Sequence, residues 1–183
     1  MPIRSREFVL QALADTGRHL EAAGHTTSVA VVLCGAAAGI LGGYLPPDRV
    51  TLDCDVIVAE PHDRFVPVHQ AAQIVAERHG LKPEWLNADS QMFAHLLPVG
   101  WRDRRTRVDC FGPLEVFTLH RRDLLALKLA GAAKARPQDL EDLQAMQPTE
   151  EDKTFLNAHL DRLRRESLDH DDHEVEQALL NEL

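Results

Sequence analysis

Cysteine is scarce here and poorly spaced for holding metal. Cys34, Cys54 and Cys110 are the three present, and no two form a Cys-x-x-Cys pair, which argues against a zinc ribbon. An odd count fits a reducing compartment better than a disulfide framework. All three fall in strand-like runs and are expected as small buried hydrophobes on the back of a sheet. Positive charge is also in deficit: 20 Lys and Arg face 29 Asp and Glu, for a formal net charge of -9. A broad electrostatic grip on nucleic acid is therefore disfavoured, and only a local basic patch stays open. No apolar run approaches the length of a membrane span. Met1 to Glu7 lacks the apolar core of a secretory signal, so a cytoplasmic protein is expected. Internal repeats and low-complexity linkers are missing as well.

What is present is an ordinary globular composition, 44% hydrophobic and 27% charged in 183 residues, enough for a real core. The chain is organised around residues 29–58. Val29 to Cys34 is a short apolar run, as in a strand covered on both faces. Gly35 follows at a tight turn into an alanine-rich helix that packing must hold. A stiff loop through Pro46-Pro47 leads to a second strand that opens on Asp53-Cys54-Asp55. Alternation along a strand puts Asp53 and Asp55 on one face and Cys54 and Val56 on the other. Two carboxylates on one face repel, and a divalent cation with oxygen ligands relieves them. Taken alone, the pair equally suits a solvent-facing edge strand.

Around this stretch the pattern predicts a helix from Arg6 to Ala23 capped by Ser5 and ended by Gly24. A second helix reaches from Pro61-His62-Asp63 to His79, stopped by Gly80, with Val66, Ala71, Ile74 and Val75 on its buried side. Trp85 to Asn87 reads as a short strand, Asp89 to Leu96 as a helical turn or two. Thr106 to Phe111 is a third strand candidate carrying Asp109 opposite Val108 and Cys110. From Arg121 onward the chain turns helical, with new starts at Pro137, at Thr149 and in the acidic segment 169–183. The expected architecture is α/β (α+β), a small mixed sheet flanked by helices over residues 1–118, then a helical region over 119–183.

A strand ending in Gly35, the downstream Asp53-Cys-Asp55, a later strand with Asp109, then Leu124-Leu-Ala-Leu-Lys-Leu-Ala130 and Arg136-Pro-Gln-Asp-Leu-Glu-Asp-Leu143 stand in this order. Together they resemble the polymerase-beta-type nucleotidyltransferases, and in particular the bacterial abortive-infection (AbiEii-like) toxins and their small relatives. The resemblance implies that Asp53, Asp55 and Asp109 hold Mg²⁺ or Mn²⁺. Gly35 and Ala36 would let a triphosphate approach the backbone, Lys128 would touch phosphates, Asp139 or Asp142 would be the acid of the closing Asp-x-x-Asp element, and Arg136 would be its charge partner. It implies transfer of a nucleoside monophosphate from an NTP to a hydroxyl on tRNA, other RNA or protein, by a toxin paired with an antitoxin protein. Ala36 departs from the family, which has Gly or Ser there, so a hydroxyl for a phosphate is missing while the backbone N–H groups remain. A weakened member that binds nucleotide or a partner without turnover is the alternative.

Other Asp-x-Asp chemistries fit less well. In haloacid-dehalogenase-type phosphatases the apolar strand precedes the acids, whereas here Val56 to Ala59 follows them. Glycosyltransferases lack the early Gly35 turn and the Lys128 helix. The segment Trp101 to Arg107 holds four arginines; it reads either as an RNA contact with Trp101 stacking on a base or, preferably, as a solvated loop entering a strand. His170 and His173, among Asp169, Asp171, Asp172 and Glu174, read as an exposed acidic helix start, and His120 as structural.

Overall fold

The computed structural model describes residues 5–166 and 173–183. The fold is mixed α+β. In chain order it runs α1 (Arg6–Ala22), β1 (Val29–Leu33), α2 (Gly35–Leu41), β2 (Cys54–Glu60), α3 (Phe65–His79), β3 (Leu86–Asn87), α4 (Trp101–Arg104), β4 (Thr106–Phe111), β5 (Leu114–Thr118), α5 (Arg121–Ala133), α6 (Pro137–Ala145), α7 (Glu150–Glu166) and α8 (Glu174–Glu182). 3₁₀ stretches occupy His62–Arg64 and Asp89–Leu96.

The sheet order is β3-β2-β1-β5-β4. β1, the apolar run, sits at the centre, antiparallel to β2 and parallel to β5. β3 runs parallel to β2, and β4 closes the other edge antiparallel to β5. Continuous hydrophobicity marks β1 because it is paired on both sides and covered on both faces. Its Val31, Val32 and Leu33 are fully buried. α1 and α3 pack on each other, α1 against β4 and β5 and α3 against β3. One hydrophobic cluster runs from Val9 through the strands to Leu125, Leu143, Leu160 and Leu180, so the C-terminal helices share the core of the sheet layer.

Local signals explain most element ends. Ser5 Oγ accepts from the Phe8 N–H, and Gly24 and Gly80 adopt the left-handed conformations that follow α1 and α3. Two details differ from expectation. α3 buries Val68, Ala71, Ala72, Val75 and Ala76, leaving Val66 60% and Ile74 45% exposed. Three of the five buried side chains are alanines, beside Val68 and Val75. Cys34 and Cys54 are buried as expected, but Cys110 is exposed, because β4 is an edge strand that little covers.

Candidate functional site

Asp53 and Asp55 stand at the entry to β2, with Ile57 continuing the same face. They line a cavity of about 620 Å³ together with the end of β1 (Cys34 to Ala36), the loop from Arg49 to Leu52, the segment from Asp89 to Leu96, and the facing sides of α5 and α6. That is the volume range of small-molecule sites.

The carboxylate wall is tight. Asn87, in β3 beside β2, donates from Nδ2 to Asp55 Oδ1 at 3.2 Å. Gly35 has φ +64°, and a Cβ there would meet Asp55 Oδ2 at 2.7 Å. Both facts require glycine: the left-handed backbone and the close approach of the carboxylate. Burial pushes the Asp55 pKa up, the charge of Asp53 pushes it further, and the Asn87 hydrogen bond with the more distant Arg136 and Lys128 charges oppose them. The Thr51 hydroxyl donates to the Asp53 carbonyl at 2.9 Å and turns the chain just before the pair. Burial also raises the Cys34 thiol to about 12, helped by the Asp55 charge, so no thiolate nucleophile is available there.

The opposing wall is cationic. Lys128 on α5 is 5% exposed, and its Nζ lies 2.7 Å from both Asp139 Oδ1 and Asp142 Oδ2. The first contact is an aligned hydrogen bond and the second a close ion pair. Asp139 and Asp142, three apart on α6, point to one side and receive the lysine between them. Arg136 Nε reaches Asp139 Oδ2 at 3.2 Å, and Arg49 Nε donates to Asp142 Oδ1 at 2.5 Å. Gly131 allows the closure, since a Cβ there would collide with Asp139 Oδ2. Three cations share two buried carboxylates, which leaves a positive balance opposite Asp53 and Asp55.

Among the residues singled out from sequence, Asp53, Asp55, Gly35, Ala36, Lys128, Arg136, Asp139 and Asp142 all line this cavity. Asp109 does not. It lies on β4, three strands across from β2, or roughly 14 Å at ordinary strand spacing. Its carboxylate is exposed and accepts from the N–H of Cys110 at 2.8 Å. The expected trio of acids is therefore not assembled, because Gly112-Pro113 folds β4 back onto β5 as the outer strand of a hairpin. Among the described residues no three metal-ligating side chains converge. The pair at Asp53 and Asp55 remains a fit for Mg²⁺, which typically takes one or two carboxylates and completes its shell with water and substrate phosphates.

The arginine segment also differs from expectation. Residues 101–104 form α4, Trp101 is 6% exposed and cannot stack on a base, and Arg104 and Arg105 are half-buried while Arg102 and Arg107 are exposed. Arg104 pairs with fully buried Asp123 at 2.5 Å, and Arg102 and Arg105 both reach Glu60. His120 caps α5, its Nδ1 accepting from the Arg122 N–H. His173 is buried at the start of α8 rather than exposed, with Nδ1 3.3 Å from Glu176; Asp169 to Asp172 lie outside the described residues. Sequence reasoning missed Arg49, Asn87 and Asp89. Asn87 was findable, since it sits in the short strand read from Trp85-Leu86-Asn87. Arg49 lies in a loop with no periodicity to place it. Among the described residues no helix is long and apolar enough to cross a membrane.

No family model matches this chain, and neither a curated protein nor a solved structure is similar enough to lend it an identity.

Proposed function

We propose that the protein is a metal-dependent nucleotidyltransferase, moving a nucleoside monophosphate from an NTP to a hydroxyl acceptor. The observation that carries the reading is the two-walled cavity: a half-buried Asp53/Asp55 pair faces a lysine and two arginines across one space. A metal–triphosphate is the common ligand class with the charges to satisfy both walls.

In this reading Asp53 and Asp55 hold Mg²⁺ or Mn²⁺. Bound there, the cation supplies charge neutralisation on the phosphates during in-line displacement. Gly35 and Ala36 give the nucleotide close access to the backbone. Arg136, the most exposed of the three cations, and the remaining Nζ donor of Lys128 bind phosphate oxygens. Asp139 and Asp142 hold Lys128 in place.

Incubation with α-labelled NTPs, Mg²⁺ and candidate acceptors tests this. Label should transfer with the wild type and drop at least about a hundredfold with Asp53→Ala/Asp55→Ala. No transfer by the wild type, or equal transfer by the variant, defeats the reading. As the toxin of a toxin–antitoxin pair the protein would slow growth when expressed alone, and the same double variant would restore it. A second reading, a module that binds nucleotide or a partner protein without turnover, is favoured by one observation: Asp109 stands away from the pair. It predicts Mg²⁺-dependent nucleotide binding by calorimetry with no pyrophosphate release.

A further inference from the structure

The acceptor side of the cavity follows from which groups the nucleotide leaves over, and the inference rests on the nucleotidyltransferase reading. Of the carboxylates lining the cavity, Asp139 and Asp142 are held by Lys128, Arg136 and Arg49, while Asp53 and Asp55 are needed for the cation. Asp89 is the one that remains. It is exposed, and its backbone N–H donates to Asn87 Oδ1 at 3.0 Å. The same Asn87 side chain donates to Asp55, so a single amide fixes the first turn of residues 89–96 against the metal pair.

Besides Asp89, the cavity lining includes three exposed apolar side chains. Phe93 is 37% exposed, and from the loop Val50 and Leu52 are 36% and 50% exposed; all three line the cavity. Such a patch continuous with a polar site marks a recognition surface. A nucleic-acid strand would need cations to replace its counterions. Arg104 and Arg105 are instead held by Asp123 and Glu60, Arg102 reaches the same Glu60 from an exposed position, and the chain carries a formal net charge of -9. An uncharged, apolar-flanked acceptor suits this wall.

We propose that the acceptor is a protein hydroxyl, a Ser, Thr or Tyr flanked by apolar side chains, seated on Val50, Leu52 and Phe93 with its O–H toward Asp89. The hydroxyl oxygen forms the new bond to the α-phosphorus, the bond to the bridging oxygen of pyrophosphate breaks, and the proton passes to the Asp89 carboxylate. Pyrophosphate leaves with the electron pair of the broken bond.

The test offers the wild type each α-labelled NTP and Mg²⁺ with two acceptors side by side: total RNA, and a peptide library bearing Ser, Thr or Tyr between apolar or between acidic neighbours. Label should enter the apolar-flanked peptides. Leu52→Asp and Phe93→Ser, both at exposed positions, should each raise the peptide KM about tenfold or more. Val66→Ser, on the outer side of α3, serves as a control without effect. Asp89→Asn should lower kcat about tenfold or more while leaving the peptide KM unchanged. Label in RNA alone, or peptide kinetics indifferent to Leu52, Phe93 and Asp89, overturns the proposal while leaving nucleotidyl transfer standing. Absence of label and of pyrophosphate with every acceptor removes nucleotidyl transfer itself and the acceptor assignment with it.

Discussion

Lys128 shows at single-residue scale how structure and chemistry are tied together. It is buried between two carboxylates that are themselves 6% and 1% exposed. Removing one member of a buried ion pair typically costs about 3–5 kcal/mol, and here Arg49 and Arg136 remain to offset part of the stranded charge. Lys128→Met should therefore lower unfolding stability by less than about 3 kcal/mol in urea titrations, whereas Asp139→Asn together with Lys128→Met should recover part of the loss. Asp55 points the other way. Its pKa is raised in the folded state by burial and then by Asp53, so the fold prefers the protonated acid. Stability falls as pH rises from the unfolded carboxylate range through the raised folded value, and the penalty persists above it. Asp55→Asn should be more stable than wild type at pH 7, with the advantage vanishing toward pH 3; a pH series of melting curves checks it. These residues were legible because strand alternation and helical spacing fix direction: 53 with 55, and 139 with 142, face one way. Asp109 was misplaced because the same alternation says nothing about where a strand lies in the sheet.

Elements add constraints that no single residue carries. α7 begins with reciprocal capping: Thr149 Oγ1 accepts from the Asp152 N–H at 3.2 Å, and Asp152 Oδ2 accepts from the Thr149 N–H at 3.0 Å. Asp152 also holds Arg121 and Arg122 of α5, so one carboxylate staples two helices. Burial alone would raise its pKa, yet the Arg121 and Thr149 hydrogen bonds bring it down to about 2. Its contribution is present above the ordinary carboxylate range and lost as pH falls toward 2. Asp152→Ala should cost about 2 kcal/mol at neutral pH and much less near pH 2, read from denaturant midpoints. Gly131→Ala is a sharper probe of α5 against α6, because the added methyl strikes Asp139; it should lower both the melting temperature and any nucleotide affinity. The Thr149 start was readable from its pattern. The α3 face was not fully readable, since alanines at 72 and 76 carry little hydrophobic signal although buried, while Val66 and Ile74 carry more and stand exposed.

For the whole molecule, the acid limit is set partly where the C-terminal helices meet. His159 of α7 is buried beside His173, which precedes α8, Glu176 of α8 and Leu129 of α5. Burial, then the charges of Arg162 and His173, lowers its pKa to about 4. Unfolded, the ring binds a proton near its ordinary value, so stability is lost as pH falls from about 6.5 toward 4. Wild type should melt earlier at pH 5 than at pH 7, and His159→Gln should shrink that difference. Mixed architecture and the helical C-terminal third were foreseeable from the changes in hydrophobic period along the chain. The sheet order was not, because pairing β1 with β5 depends on packing between segments far apart in sequence.

That pairing has a consequence for how the protein is made. β1 lies between β2 and β5, with Val29 beside Leu114 and Leu33 beside Thr118. On the ribosome β2 emerges soon after β1 and can cover one of its edges, but α3, β3 and β4 must all be translated before the other edge finds its mate. Throughout that interval the nascent chain displays an unzipped, wholly apolar strand, the kind of surface that trigger-factor-like chaperones engage and that aggregates when translation stalls.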